Sequence, residues 1–188
     1  MTDRRMRFEE LMLPHLDAAY NLARWLVRSS ADADDIVQDA YLRAFSSFDG
    51  FRGEDAKPWL LAIVRNCFLT RVGRSREHMT VSLTESMDGS EGMSTKWAEA
   101  LVASGDDPEQ AAIKADTRRT LDSVLATLPV DFREVLILRE MEDMSYRDIA
   151  SVTGVPIGTI MSRLARARDL LRKQWGTRVE GTNAEAMR

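Results

Sequence analysis

The chain has 188 residues, a net charge of −4 and one cysteine. This length allows one or two domains with hydrophobic cores of their own, and one cysteine excludes an internal disulfide. No apolar run approaches the roughly 18 residues of a membrane-spanning helix, and the first residues lack the apolar core of a signal peptide. We therefore predict a soluble, cytoplasmic protein with no membrane insertion.

Charge is distributed in blocks along the chain. Residues 65–76 contain four arginines and no acid, and residues 157–178 contain five arginines and one lysine against one aspartate. Between them, residues 77–116 hold nine acids against two lysines. Two basic segments separated by an acidic one predict two DNA-contacting modules on a connector that phosphate repels.

Apolar residues at helical spacing predict three helices in the first half of the chain, over residues 8–27, 34–48 and 57–72, and no sheet. The second of these has an apolar face that is predicted to be core, formed by Ile36, Val37, Ala40, Tyr41, Ala44, Phe45 and Phe48.

The opposite face of this second helix is polar around an apolar centre. It consists of Asp35, Gln38, Asp39, Leu42 and Arg43. Two interpretations remain open from the residues alone. The acids could stabilise the helix start through its dipole, or the face could dock a basic or amphipathic partner helix.

The third predicted helix places Trp59 with Ile63, and Leu60 with Val64, at core spacing. Asn66 follows this apolar run and precedes the arginines. An Asn amide can recognise a base edge, and the glycine-flanked loop before the helix could cradle an extruded base. A helix cap or a solvated side chain is the competing interpretation of Asn66.

The middle of the chain loses its helical pattern. Residues 75–108 are rich in Ser, Thr, Gly, Asp and Met, which predicts a linker of about thirty residues with a short possible helix at 97–102. Helical spacing returns over residues 109–128, is interrupted by Pro129, and continues over residues 131–141.

The segment from Ser145 onward predicts a helix-turn-helix. Ser145 and Asp148 form a plausible capping pair for its first helix. Gly154 suits the left-handed residue that ends this helix, and Pro156 suits the start of the next.

The second helix of this motif has two distinct faces. Ile160, Leu164, Ala167 and Leu171 fall in one stripe that should pack on the first helix. The opposite side and its flanks hold Gly158, Thr159, Met161, Ser162, Arg163, Ala165, Arg166 and Asp169. Small residues allow close approach to the major groove, and arginine can pair with guanine or phosphate. A terminal amphipathic helix with a solvated basic face is the alternative.

No group of side chains indicates catalysis. Cys67 is expected to be a small buried residue rather than a redox sensor, and His15 and His78 lie far from it in the sequence. There is no phosphate-binding glycine loop and no paired nucleophile and base. We predict that the chain is not an enzyme and has neither a metal site nor a cofactor.

Three motifs together resemble the bacterial sigma factors of the extracytoplasmic-function (ECF) type, the two-domain initiation subunits of RNA polymerase. The first is the sequence DDIVQDAYLRAF from Asp34, and the second is FRG from Phe51 followed by WL and then I-x-RN ending at Asn66. The third is VPIGTI-x-SRL-x-RAR from Val155. The resemblance covers residues 11–76 and 109–178.

The resemblance implies a role for each motif. The face containing Asp35, Gln38, Asp39, Leu42 and Arg43 would dock on the clamp helices of the polymerase's largest subunit. A flipped base of the minus-ten element would be captured by Phe51, Arg52, Gly53, Lys57 and Asn66. The DNA backbone there would be held by Arg71, Arg74 and Arg76. Duplex minus-thirty-five DNA would be recognised by Gly158, Thr159, Met161, Ser162, Arg163, Ala165 and Arg166.

The predicted architecture is therefore all-α, with two small helical domains joined by a flexible acidic linker. Residues 1–76 form the first domain, 77–108 the linker, 109–178 the helix-turn-helix domain and 179–188 a flexible tail. Two departures from the family pattern put the promoter sequence in question. Met161 replaces a common basic residue, and the loop before Trp59 is one residue short and contains Pro58.

The expected partners are core RNA polymerase, promoter DNA and, by the resemblance, an anti-sigma protein. The acidic linker is interpreted either as a nucleic-acid mimic near the RNA path or as a plain tether. A stand-alone helix-turn-helix regulator is the main alternative function, although no sensor or dimerisation domain is evident. A chain that serves mainly as the target of an inhibitor is a third.

Overall fold

The computed structural model describes the backbone of residues 2–27, 29–53, 55–79 and 120–186. These residues form helices and contain no strand, as predicted. The helices are α1 (Thr2–Met12), α2 (Leu16–Leu26), α3 (Ser30–Ser47), α4 (Ala56–Met79), α5 (Val130–Glu140), α6 (Tyr146–Thr153) and α7 (Ile157–Ala186). Residues 120–127 are also helical. We call residues 2–79 the N-terminal module and residues 120–186 the C-terminal module.

The single helix predicted over residues 8–27 is wrong, because the chain forms two helices there. A 3-10 turn at Leu13–His15 separates α1 from α2, with Pro14 in its first positions. Proline has no N–H to donate and its ring clashes with the preceding turn, so the α-helical hydrogen bonding is interrupted.

The apolar face predicted for α3 is confirmed. Ile36, Val37, Ala40, Ala44 and Phe48 are buried, and Tyr41 and Phe45 pack partly buried against the core. Ser29 caps the start of this helix, and its side chain accepts a hydrogen bond from the Asp32 N–H at 3.4 Å.

Tyr41 ties the start of the module to α3. Its hydroxyl donates to the Met12 carbonyl at 2.8 Å. Burial raises the pKa of Tyr41 to about 12, so the phenol remains a protonated donor throughout the physiological range.

Helix α4 is longer than predicted. It continues to Met79, past both the expected helix end at residue 72 and the expected domain boundary at residue 76. Leu60 and Val64 are buried as predicted, whereas Trp59 and Ile63 are only partly buried at the edge of the core. The predicted linker beyond residue 79, including the possible helix at 97–102, lies outside the described residues.

Cys67 is buried on α4, as predicted, with 4% of its surface exposed. Burial raises the pKa of its thiol, so little thiolate is available to react near neutral pH. We expect alkylation of Cys67 by iodoacetamide at pH 8 to be about 100-fold slower in the native protein than in denaturant. Mass spectrometry of timed samples measures this ratio, and equal rates would contradict the burial.

The helix-turn-helix forms as the sequence predicts. The Ser145 hydroxyl accepts from the Asp148 N–H at 3.2 Å and contacts the Asp148 carboxylate at 2.5 Å. Gly154 ends α6 with φ of 70°, a left-handed conformation that glycine adopts without steric cost. Pro156 then precedes α7.

Helix α7 continues to Ala186, into the range predicted to be a flexible tail (179–188), and the tail itself stays a prediction. A helix that is already anchored by packing gains one hydrogen bond for each residue it adds, without a new nucleation cost. The packed first half of α7 supplies that anchor.

The two modules pack against each other, which the sequence did not predict. Helix α2 contacts α5, and α4 contacts α6. Buried apolar residues of both modules form one continuous core that extends from Phe8 to Ala167. None of the described helices is both long enough and apolar enough to cross a bilayer.

Candidate nucleic-acid and polymerase interfaces

Helix α7 separates a buried stripe from an exposed one, as predicted. Ile160, Leu164 and Ala167 are buried, and Leu171 is partly buried. The opposite side is exposed at Gly158, Ser162, Ala165 and Arg166, with Met161 also exposed and Thr159 partly buried. Because small residues surround Arg166, its guanidinium projects from a surface that can approach a DNA groove closely.

The arginines of α7 differ in their contacts. Arg163, predicted to contact DNA, is only 21% exposed and pairs with Asp131 of α5 at 2.8 Å. Arg168 pairs with Glu140. Arg166 is exposed and makes no hydrogen bond or ion pair with the described part of the chain. Arg166 is therefore the better candidate for base contact, whereas Arg163 also holds α7 on α5.

The polar face of α3 is exposed at all five predicted positions, Asp35, Gln38, Asp39, Leu42 and Arg43. Leu42, at the centre, is 62% exposed. An exposed leucine surrounded by polar and charged residues is the arrangement expected of a protein-docking surface.

A groove of about 370 Å³ adjoins this face. It is lined by Gln38 itself, by Asp34, Val37 and Tyr41 of α3, and by Leu16, Asp17 and Tyr20 of α2. Sequence reasoning missed the α2 residues because only the packing of α2 on α3 brings them beside Gln38. The residue that could have indicated this groove was Leu16, a large apolar side chain that the structure leaves exposed.

Two predicted sites meet at Arg71. Its guanidinium pairs with Asp32 and, at 3.2 Å, with Asp35 of α3. Arg71 was assigned to minus-ten DNA and Asp35 to polymerase docking, so the two surfaces are adjacent. In the free protein, Arg71 is partly neutralised by these carboxylates.

The loop before α4 is built around Phe51. Its ring stacks on Phe48 with 6.1 Å between centroids and lies 5.0 Å from the Trp59 ring. A Cβ added at Gly53 would lie 3.2 Å from the Phe51 ring, so glycine permits the tight approach of the loop to that ring. Arg52 and Gly53 are exposed.

A cavity of about 250 Å³ opens beside Phe51. Besides Phe48, Asp49 and Phe51, it is lined by Asp3, Arg4 and Arg7 of α1. Arg4 is held by Asp49 at 2.8 Å, and the Arg7 guanidinium lies 5.9 Å from the Phe48 ring centroid. These α1 residues were not predicted, because they are distant in sequence from the loop.

Asn66 is exposed in the interior of α4. The interpretation of Asn66 as a helix cap is therefore wrong, because α4 continues to Met79. Its carbonyl accepts from the Thr70 hydroxyl at 2.8 Å, a bond that leaves the amide side chain available. Arg74 and Arg76 lie further along α4, beyond the described side chains.

Lys57 is not free in this structure. Its ammonium pairs with the Glu142 carboxylate at 2.9 Å and donates to the Glu142 carbonyl at 2.8 Å. The other carboxylate oxygen of Glu142 accepts from the Asn21 amide at 2.7 Å. Glu142 belongs to the C-terminal module, so a residue predicted to contact DNA is engaged across the module interface.

A second ion pair crosses the same interface. Arg65 of α4 donates to Glu134 of α5 at 2.7 Å. Burial raises the pKa of Glu134, although the nearby Arg65 opposes this shift. No group of three or more potential metal-ligating side chains occurs among the described residues.

Comparison with known proteins gives two family matches. The description "Sigma-70 region 2" fits residues 11–77, and "Sigma-70, region 4" fits residues 118–171. These ranges contain the α3 face, the Phe51 loop and the helix-turn-helix. The matches therefore cover the predicted site residues of both modules, but not Arg4 and Arg7 of α1.

Individual proteins resemble the chain over most of its length. It is 31% identical to an RNA polymerase sigma-H factor of Pseudomonas aeruginosa, over 88% of this chain and 84% of that protein. It is also 31% identical to the ECF RNA polymerase sigma factor SigE of Mycolicibacterium smegmatis, over 88% of this chain but only 60% of that protein.

Among solved structures, the chain is similar to the sigma factor RpoE of Bartonella quintana in complex with the anti-sigma factor NepR. The TM-score is 0.65 at 29% identity, covering 89% of this chain and 96% of that one.

Proposed function

This chain belongs to the extracytoplasmic-function RNA polymerase sigma factors, and from that premise we propose a division of labour between its two modules. As a sigma factor it binds core RNA polymerase and directs it to promoters for transcription initiation. The C-terminal module grips duplex minus-thirty-five DNA, and the N-terminal module docks on the polymerase and stabilises the melted minus-ten strand. Catalysis belongs to the core enzyme, so the chain contributes no chemistry of its own. The chain acts in the cytoplasm, where the polymerase is.

The observation that carries this proposal is the exposed face of α7. Its small residues and Arg166, which has no partner among the described residues, lie opposite a stripe in which Ile160, Leu164 and Ala167 are buried. A helix of this kind after a tight turn enters the major groove of DNA. The basic charge supplies phosphate attraction, and Arg166 supplies base contact.

The N-terminal module supports a role on separated strands. Melting a promoter costs several kcal/mol of stacking and pairing, which binding of the exposed bases must offset. The exposed Asn66 amide and the aromatic loop around Phe51 offer hydrogen bonding and stacking for an extruded base. The cavity of about 250 Å³ beside Phe51, lined also by Arg4 and Arg7, extends the proposed site onto α1.

The domain boundaries and the partners follow from the same assignment. The proposed domains are residues 1–76 and 109–178, joined by a connector over 77–108 and followed by a tail over 179–188. Helix α4 of the first domain continues into the connector range, to Met79. We also propose an anti-sigma partner, supported by the similarity to a sigma factor solved with one.

In vitro transcription tests the function. Core polymerase supplemented with the purified chain should initiate from a cognate promoter selected from random DNA, with permanganate-reactive thymines in the minus-ten element. A stand-alone regulator would instead bind duplex operators without core and would produce no melted thymines. That second outcome would overturn the sigma-factor mechanism.

The docking face on α3 can be tested separately. Asp39 is exposed, so Asp39→Lys should fold normally while placing a positive charge on the surface that meets the polymerase. We expect core affinity to fall about tenfold or more in a fluorescence-anisotropy titration.

The matched control for docking is Glu10→Lys, an equal charge reversal at an exposed position on α1. It should leave core affinity unchanged. Asp35 is unsuitable for this test, because Asp35→Lys would also disrupt the pair with Arg71. Full-strength core binding by folded Asp39→Lys would place the docking face elsewhere.

A further inference from the structure

One flank of the outer surface of α7 carries a row of apolar side chains, and Arg166 lies on the other flank. Ile157, Met161 and Ala165 are four residues apart, so their side chains follow one another along the helix. Ile157 is 45% exposed, Met161 is 53% exposed, and Ala165 is exposed as well. We call these three residues the apolar row. An apolar row left open on an interaction face is a contact surface for apolar groups.

Few hydrogen-bonding groups accompany the apolar row. The Ser162 hydroxyl donates to the Thr159 carbonyl at 2.9 Å, so its donor is already used within the helix. Gly158 has no side chain, and a Cβ added there would meet nothing within 4 Å. This open space lets a binding partner approach the two large side chains of the row. Recognition at the start of α7 therefore relies more on apolar contact than on hydrogen bonding.

We propose that Ile157 and Met161 recognise the 5-methyl groups of thymine in the minus-thirty-five duplex. This inference rests on the proposed function, in which α7 enters the major groove. The thymine methyl is the one alkyl group among the base edges that the major groove presents. An arginine at residue 161 would instead select the acceptor oxygen and nitrogen of guanine. Methionine at this position therefore decides which base is preferred.

The spacing along α7 limits where the thymines lie. An α-helix rises about 1.5 Å per residue, so Ile157 and Met161 are roughly 6 Å apart along the axis, and Met161 and Arg166 roughly 7.5 Å. Base pairs are stacked about 3.4 Å apart, so each interval matches about two base pairs. The thymine contacted by Met161 should lie within about three base pairs of the base contacted by Arg166.

The charge around the apolar row favours DNA over a protein as the group that covers it. Residues 157–178 contain five arginines and one lysine against one aspartate, and Arg166 is exposed on the same outer surface. Phosphates on both sides of the major groove attract this positive charge, while the thymine methyl groups inside the groove meet the row. A duplex therefore satisfies the charged and the apolar parts of the surface together.

Replacement of thymine by deoxyuridine tests the proposal, because it removes the methyl group and leaves base pairing and the O4 acceptor unchanged. Each thymine of a selected minus-thirty-five element is replaced singly, and the affinity of the holoenzyme is measured by gel shift. We expect a loss of about three- to fivefold at one or two positions, the effect of uncovering one buried methyl group.

Variants of the row assign each methyl contact to a side chain. Met161→Ala should lower affinity for the thymine duplex by about the same three- to fivefold and abolish the effect of uracil at one position. Ile157→Ala should do the same at a second position. Met161→Arg should lose the uracil effect and, in a new selection from random DNA, replace that thymine by guanine.

The matched control is Met141→Ala, since Met141 is 49% exposed and lies outside α7. It removes the same side chain from the same module and should change neither affinity nor the uracil effect. All these positions are exposed, so melting temperatures should remain close to that of the unsubstituted protein.

The outcomes separate this inference from the proposed function. Normal duplex binding with no uracil effect at any position overturns the inference and leaves the sigma-factor role intact. A uracil effect that persists in both Met161→Ala and Ile157→Ala overturns the assignment to these residues. Equal losses by Met161→Ala on thymine and uracil duplexes also overturn it, because the row would then serve another partner, such as a protein. Failure of the unsubstituted holoenzyme to bind any minus-thirty-five duplex overturns the proposed function, and this inference with it.

Discussion

Arg166→Ala is expected to weaken binding of a minus-thirty-five duplex by about 1–3 kcal/mol, or roughly 5- to 150-fold, and to relax base preference at one position. The guanidinium is exposed on the outer face of α7 and has no carboxylate partner in the described structure, so its full hydrogen-bonding capacity is available to a base. A gel shift with the holoenzyme measures the loss, with a panel of single-base promoter variants to locate the position.

Arg172→Ala is the matched control, because Arg172 lies further along α7 with its side chain 80% exposed. It should cost less, equally for all sequences, and should reduce the salt dependence of binding. Arg163→Ala is expected to lower the melting temperature as well as DNA affinity, since Arg163 pairs with Asp131. Unchanged binding by Arg166→Ala at a minus-thirty-five-dependent promoter would contradict the assigned face.

Asn66→Ala is expected to impair strand opening much more than binding of closed duplex promoter, by about tenfold or more in open-complex yield. The amide both donates to and accepts from a base edge, which neither alanine nor aspartate reproduces. Because Asn66 is exposed within α4, the substitution should change stability by less than about 0.5 kcal/mol.

Permanganate footprinting of unpaired thymines, alongside a gel shift on the same promoter, measures this separation. A premelted template supplies the opening energy in advance and should partly rescue Asn66→Ala. Thr70→Ala, one turn further along α4, is the matched control; its hydroxyl donates to the Asn66 carbonyl. Equal losses by Asn66→Ala on duplex and premelted templates would indicate a structural role instead.

Local sequence patterns predicted the helix-turn-helix well, although not every helix boundary. Ser145, Asp148, Gly154 and Pro156 define the turn chemistry of the helix-turn-helix, and all four contribute to it in the structure through short-range geometry. The same is true of the buried and exposed faces of α3 and α7, because a helical period assigns a residue to a face before any packing is known. The apolar spacing over residues 8–27 did not reveal the break at Pro14, which separates α1 from α2.

Partners across sequence distance could not be predicted in this way. The groove residue Leu16 beside Gln38, and Arg4 and Arg7 beside Phe51, come together only when α1, α2 and α3 pack. The pairing of Arg71 with Asp32 and Asp35 likewise joins residues that the sequence places on separate helices. Such contacts depend on helix crossing angles, which a one-dimensional pattern does not encode.

The sequence by itself determined the all-α class, the helix-turn-helix, the exposed faces of α3 and α7, and the family, because each depends on residues close together in the chain. Only the tertiary structure decided which charged groups are free. Lys57 and Arg65 are engaged by Glu142 and Glu134, Arg163 is held by Asp131, and Arg166 is exposed. The physical reason is that a charge's availability depends on what lies within about 4 Å of it, and the packing of the two modules sets those neighbours.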